Sequence, residues 1–143
     1  MSESRLTVPL QLSLTYQHAL GDLSPYFAGL AQGQLVASVC GRCGATWLPP
    51  RLICTCGSTD LKWLTLDGMG TVEWATSTTS ALPATRVRGD MVFVLVRFDG
   101  ATNSALARLV GAESVTPGQR VRLTASGTSE TAHPVQHLEV EVA

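Results

Sequence analysis

Lysine is nearly absent from this chain: Lys62 is the only one in 143 residues, and the net charge is -1. A generic nucleic-acid binder takes most of its affinity from phosphate neutralisation and carries a basic excess. The nine arginines leave room for a local basic patch only. No apolar run reaches membrane-spanning length, so no membrane partner is expected. The N-terminal stretch MSESRLTVPLQLSL has one arginine and no continuous apolar segment, which argues against a secretory signal. A soluble, cytoplasmic protein is the expectation. The sequence also lacks a Ser-His-acid spacing, a glycine-rich phosphate loop, an internal repeat and any low-complexity segment. What it does have is four cysteines. In a reducing compartment these favour metal binding over a disulfide framework.

All four lie in CGRCGATWLPPRLICTCGS, residues 40–58. Cys40 and Cys43 have the Cys-x-x-Cys spacing that lets two thiolates reach one tetrahedral zinc, and Gly44 behind them permits the positive φ of the turn. Ten residues separate Cys43 from Cys54, enough for a hairpin that brings the second pair round. That pair is shorter. Only Thr55 stands between Cys54 and Cys56, so the loop has less freedom to aim its thiolates. A four-cysteine structural zinc is one reading; a vestigial ribbon held by packing is the other. His18, His133 and His137 are remote in sequence and are not nominated as ligands. Without an open coordination position, such a zinc has no catalytic role.

Around this segment the chain divides into three parts. Residues 1–36 read as an extended arm and a helix. In DLSPYFAGLAQGQL, Asp22 or Ser24 can cap the helix, Pro25 suits its first turn, and Gly33 ends it. Tyr26, Phe27 and Leu30 form its apolar face. Residues 37–60 form the cysteine ribbon, entered by the strand QLVASVC. Residues 61–143 alternate β-type runs with the turns Asp67-Gly68, Asp99-Gly100 and Pro117-Gly118. In GTVEWATST, alternation puts Val72, Trp74 and Thr76 on one face. MVFVLVRF is apolar on both faces and reads as a doubly buried central strand. Val121 and Leu123 point inward with Arg120 and Arg122 outward, and Leu138, Val140 and Val142 share a face. Five or six short strands suggest a small closed barrel of the OB type, with a β-sandwich as the alternative.

Together these residues resemble a known family. A helix with Tyr26-Phe27 and LAQGQL runs into CGRCGATWLPPR, then CGS, then a barrel opening LDGMGTVEWATS. The arrangement, over about residues 22 to 142, is similar to the acyl-CoA-associated zinc-ribbon/OB-fold family, domain-of-unknown-function family thirty-five. The resemblance implies a mainly β fold: an N-terminal helix, a rubredoxin-like zinc ribbon and a small OB-fold barrel. It also implies a companion subunit of thiolase-superfamily enzymes (thiolases, aldolases or acyltransferases), with the barrel positioning a coenzyme A thioester or docking the partner. A heterotetramer with two copies of each subunit follows from the dimeric habit of thiolases. The departure from the family pattern is the one-residue deletion between Cys54 and Cys56.

Catalysis by this chain alone is poorly supported, because all four cysteines are committed to the knuckles and no nucleophile with a base remains. His133 and His137 read as solvent or interface residues. The candidate contacts for coenzyme A or a partner are Arg86 and Arg88 in the loop TSALPATRVRGD, with Trp47, Arg51, Tyr26 and Phe27. Trp47 is either a plug on the barrel or an exposed anchor. Two other readings compete. One is a single-stranded nucleic-acid binder using Trp63, Trp74, Phe93 and Phe98 as stacking platforms, although alternation assigns Trp74 and Phe93 to the core. The other is a redox module built on Cys54-Thr55-Cys56.

Overall fold

The computed structural model describes residues 8–14, 17, 19–78, 91–124 and 138–143. The loop carrying Arg86 and Arg88 lies outside them, as do His18, His133 and His137. Residues 8–14 form neither helix nor strand. A 3-10 turn, Gly21–Leu23, then leads into helix α1, Ser24–Ala31. Pro25 occupies the first turn as expected. Neither expected cap is used: Leu23 holds the cap position without a side-chain bond, and Ser24 is already helical. The Ser24 hydroxyl instead donates to the Gly21 carbonyl at 2.5 Å. Gly33, at φ +71°, turns the chain out of the helix. Gly29 sets how closely α1 approaches the next strand, since a Cβ there would meet Val36 Cγ2 at 2.6 Å. Among the described residues no helix is long and apolar enough to cross a membrane.

Strands β1 (Leu35–Cys40), β2 (Thr46–Trp47) and β3 (Leu61–Leu66) make an antiparallel sheet in the order β2-β1-β3. Pairing of β1 with β3 runs without interruption from Leu35↔Leu66 to Cys40↔Leu61. This corrects the division of the chain. The run LKWLTL, placed by its β texture at the start of the barrel, closes the ribbon sheet instead. The ribbon therefore extends to Leu66, and the barrel begins at Met69 after the turn at Gly68, φ +81°.

The barrel comprises β4 (Met69–Thr78), β5 (Met91–Phe98), β6 (Ala105–Leu109), β7 (Arg120–Leu123) and β8 (Glu139–Val142). The ladder runs β4-β5-β6-β8-β7 and returns to β4, with β6 and β8 parallel and the other pairs antiparallel. This is the closed five-stranded arrangement of an OB fold rather than a sandwich. Closure happens at Gly70, which pairs with Phe98 on one side and Val121 on the other. The interior is filled by Val72, Val94, Val96, Phe98, Ala107, Val121 and Val140. Fully burying each of the larger of these side chains is worth about 1.5–3 kcal/mol. As expected, Val121 points in while Arg120 and Arg122 point out; Leu138 and Val140 are buried, whereas Val142 is exposed.

Two core assignments are overturned. Val72 pairs with Val96 but Trp74 pairs with the adjacent Leu95, so Glu73 is an extra residue in β4. Such a bulge shifts the alternation by one. Val72 stays inside, while Trp74 turns out and is 71% exposed. Thr76 is exposed as well. Strand β5 is also not buried on both faces: Val92, Val94, Val96 and Phe98 point in, but Phe93 and Leu95 are only half-buried.

Ribbon and barrel share one hydrophobic core, in which Tyr26, Leu30, Leu35, Ala37 and Leu48 join the barrel valines. Polar bonds fix the junction. The Leu48 amide donates to Asn103 Oδ1 at 2.9 Å, and Asn103 Nδ2 donates back to the Leu48 carbonyl at 2.7 Å. The Thr46 amide donates to Thr102 Oγ1, and the Thr102 amide to the Thr46 carbonyl.

Candidate functional site

The end of β1, the turn behind it and the loop before β3 bring all four cysteines together. Their sulfurs lie within 4.8 Å of one another. Each sulfur faces one from the other knuckle: Cys43 and Cys54 at 3.5 Å, Cys40 and Cys56 at 3.7 Å. A tetrahedron with zinc–sulfur bonds of about 2.3 Å has edges of roughly 3.8 Å, so the set fits one zinc ion. All four are free thiols. Gly44 and Gly57 carry positive φ, +74° and +83°, and give each knuckle its turn. Even with the shortened second half-site the cluster closes, and its four cysteines fit a structural zinc. Zinc held by Cys40, Cys43, Cys54 and Cys56 would tie the two knuckle turns together.

Amide donors stabilise thiolate here. Cys40 is held below the ordinary thiol range by the amides of Cys43 and then Arg42. Cys54 is brought down to about 6, chiefly by the Cys56 amide and next by the Trp47 indole. Cys43 receives the Ala45 amide, yet the neighbouring thiols, Cys54 foremost, push it up to about 11.

The candidate contact residues fall in different places. Trp47 is neither a barrel plug nor a free anchor. It lies in β2 with its Nε1 3.4 Å from Cys54 Sγ and the Arg51 guanidinium 4.5 Å from its ring centroid. Arg51 also lines a cleft of about 300 Å³ with Asp22, Lys62 and Trp63. Tyr26 is 2% exposed and belongs to the core, with Phe27 tilted against it at 5.2 Å between ring centroids. Burial pushes the Tyr26 hydroxyl up to about 12. On this helix Phe27 is half-buried, whereas Tyr26 is not accessible. Among the proposed stacking aromatics, Phe98 is core, Trp63 lies on β3, and Trp74 and Phe93 share the outside of the barrel.

That outer face is the feature that sequence reasoning missed. Trp74, Leu95 and Leu106 pair in succession across β4, β5 and β6. With Phe93 they line an open apolar depression of about 290 Å³. Leu106 is 63% exposed. The arginines of the described barrel strands are occupied by carboxylates: Arg97 with Glu73, Arg108 with Glu139, Arg120 with Asp99, and Arg122 with Glu141. The Arg120 bonds hold Asp99 below the usual carboxylate range, and Ser104, followed by Arg97, does the same for Glu73. Of the signals in the sequence, the alternation of SALARLV places Leu106 opposite Ala105 and Ala107. The bulge that turns Trp74 toward it has no comparable signature.

Comparison with known proteins fits this geometry. Residues 27–62 match the family model described as ChsH2, rubredoxin-like zinc ribbon domain. No curated protein matches the chain. Two solved structures share its fold. One, described as the Ltp2-ChsH2(DUF35) aldolase, is 22% identical with a TM-score of 0.65, over 89% of this chain and 98% of the other. The second, a DUF35-family protein of unknown function from Sulfolobus solfataricus, is 20% identical with a TM-score of 0.62, over 86% and 87% of the two chains. Residues 27–62 thus match a ChsH2-type zinc ribbon, and the chain as a whole shares the fold of these two DUF35 structures.

Proposed function

We propose that this chain is a non-catalytic companion subunit, which binds a thiolase-superfamily enzyme of the aldolase kind and helps position its acyl-CoA substrate. The observation that carries the reading is the apolar row Trp74–Leu95–Leu106, exposed among the described residues, on a fold whose four cysteines cluster in a geometry that fits a structural metal. Large exposed apolar side chains grouped on one face mark interaction surfaces. The structure described as the Ltp2-ChsH2(DUF35) aldolase supports the choice of partner class. Arg51 and Lys62 in the ribbon cleft are suited to the coenzyme A phosphates, as are, by their chemistry, Arg86 and Arg88 of TSALPATRVRGD, outside the described residues.

Single-stranded nucleic acid fits less well. The aromatic face lies on the strands that OB folds use for oligonucleotides, but the four arginines of the described barrel strands are paired with carboxylates. The redox reading is weakened because Cys54 and Cys56 each face a sulfur of the opposite knuckle.

The test is to purify the tagged chain from its native host, identify what accompanies it by mass spectrometry, and measure the mass of the complex. We expect a thiolase-like subunit in a heterotetramer with two copies of each chain. Recovery of a lone chain that shifts a single-stranded oligonucleotide at low salt would overturn the proposal.

A further inference from the structure

The two knuckles turn differently around their first cysteines. In the first, the Gly44 amide, four residues on, donates to the Cys40 carbonyl at 2.9 Å. In the second, the equivalent turn bond comes from Gly57, only three residues on, to the Cys54 carbonyl at 2.9 Å. The deletion therefore leaves one backbone amide fewer inside the turn to face the Cys54 sulfur, and that sulfur instead lies 3.4 Å from the Trp47 indole nitrogen.

We infer that Trp47 replaces the missing amide: its indole N–H, donated to Cys54 Sγ, is the positioning contact that allows the shortened Cys-x-Cys half-site to hold zinc. The donor is built in place. Ser38 of β1 pairs with Trp47, and its hydroxyl accepts the Arg51 amide at 2.9 Å. Arg51 in turn lies over the indole face, 4.5 Å from its centroid. A cation on that face draws electron density from the ring and places positive charge beside a four-thiolate cluster. Donors to metal-bound ligands fix their orientation and disperse their charge, and losing one costs about 10–100-fold in metal affinity. The role goes beyond the docking function proposed above, since it concerns retention of the metal and not the partner.

The test is Trp47→Phe, which keeps an aromatic ring under Arg51 and removes the indole N–H together with part of the ring; the loss of volume is common to both backgrounds compared below. Zinc affinity is measured by competition with a chromophoric chelator, with far-ultraviolet circular dichroism as the check on folding. We expect zinc to bind about tenfold more weakly. One glycine inserted after Thr55 restores the Cys-x-x-Cys spacing, and in that background the same substitution should cost less than about twofold. An equal loss in both backgrounds, or no loss in the first, overturns the assignment. A measurement on the unaltered zinc-loaded protein stands beside these. The Trp47 indole N–H should exchange with solvent more slowly than that of the exposed Trp74, and equal exchange also overturns it.

Discussion

Replacing Trp74 with serine separates folding from docking. The folded chain already leaves 71% of this residue in water. Its removal should therefore change stability by no more than about 0.5 kcal/mol, as for other surface sites. A partner that covers the face sees a different loss. A tryptophan buries on the order of 200 Å², so the exposed part offers roughly 140 Å² for association. At about 25 cal/mol per Å² the ceiling is roughly 3.5 kcal/mol. Ordering and desolvation at the interface reduce the return on area, so we expect 10- to 100-fold weaker binding, about 1.4–2.8 kcal/mol. The assay titrates the purified partner subunit against parent and Trp74→Ser chains, with thermal melts of each chain alone. A variant that melts with the parent and binds within twofold of it would show that this face is not the interface.

Three further outcomes follow from the geometry. Gly70→Ala should destabilise the barrel by about 1–3 kcal/mol, because its Cβ would meet Val96 Cγ1 at 2.5 Å and the Arg97 carbonyl at 3.0 Å. Gly41→Ala meets only the Asp60 carboxylate, which can swing away, and should melt with the parent. A chemical denaturation series that ranks the two in reverse refutes this account of the seam. Stripping zinc with a chelator should release about one ion per chain and lower a single melting transition, since ribbon and barrel share one core; two separate calorimetric transitions would contradict that sharing. Asp99 and Glu73 are both held below their ordinary values in the folded chain. Their contribution is complete above the ordinary carboxylate range and is lost as pH falls through the lowered folded values. Melting temperature should drop on acidification in that window, and less steeply in Asp99→Asn; identical pH profiles would rule the pair out.

The ribbon was legible because its signals are local. Cys40-x-x-Cys43-Gly44 specifies a turn, a glycine conformation and two ligands within five residues, and the structure uses all of them. Strand existence was equally readable from alternation in SALARLV and QRVRLTA. Partnership was not. Nothing within LKWLTL says that β3 pairs with β1 rather than with the barrel; that depends on the chain returning from Cys56 alongside Cys40. The helix cap failed for a related reason. Ser24 had the right chemistry, but the preceding 3-10 turn begins the coil early and draws Ser24 into it.

The residues on which the proposed docking and metal-holding roles rest are those at which a single-residue change in count breaks a local rule. In β4 one residue too many, Glu73, turns Trp74 from the core to the surface and aligns it with Leu95 and Leu106. In the second knuckle one residue too few tightens the turn behind Cys54, whose sulfur lies against the Trp47 indole N–H. Periodicity treats both as noise, because it assumes a constant repeat. Yet each irregularity is fixed by contacts of its own. Glu73 is held by Arg97 and Ser104, and Trp47 by Ser38 and Arg51. A slip that served no purpose would need no such support, and the support would cost nothing to lose. The bulge and the short knuckle are therefore the places where sequence changes should alter partner binding and metal retention while leaving the barrel intact.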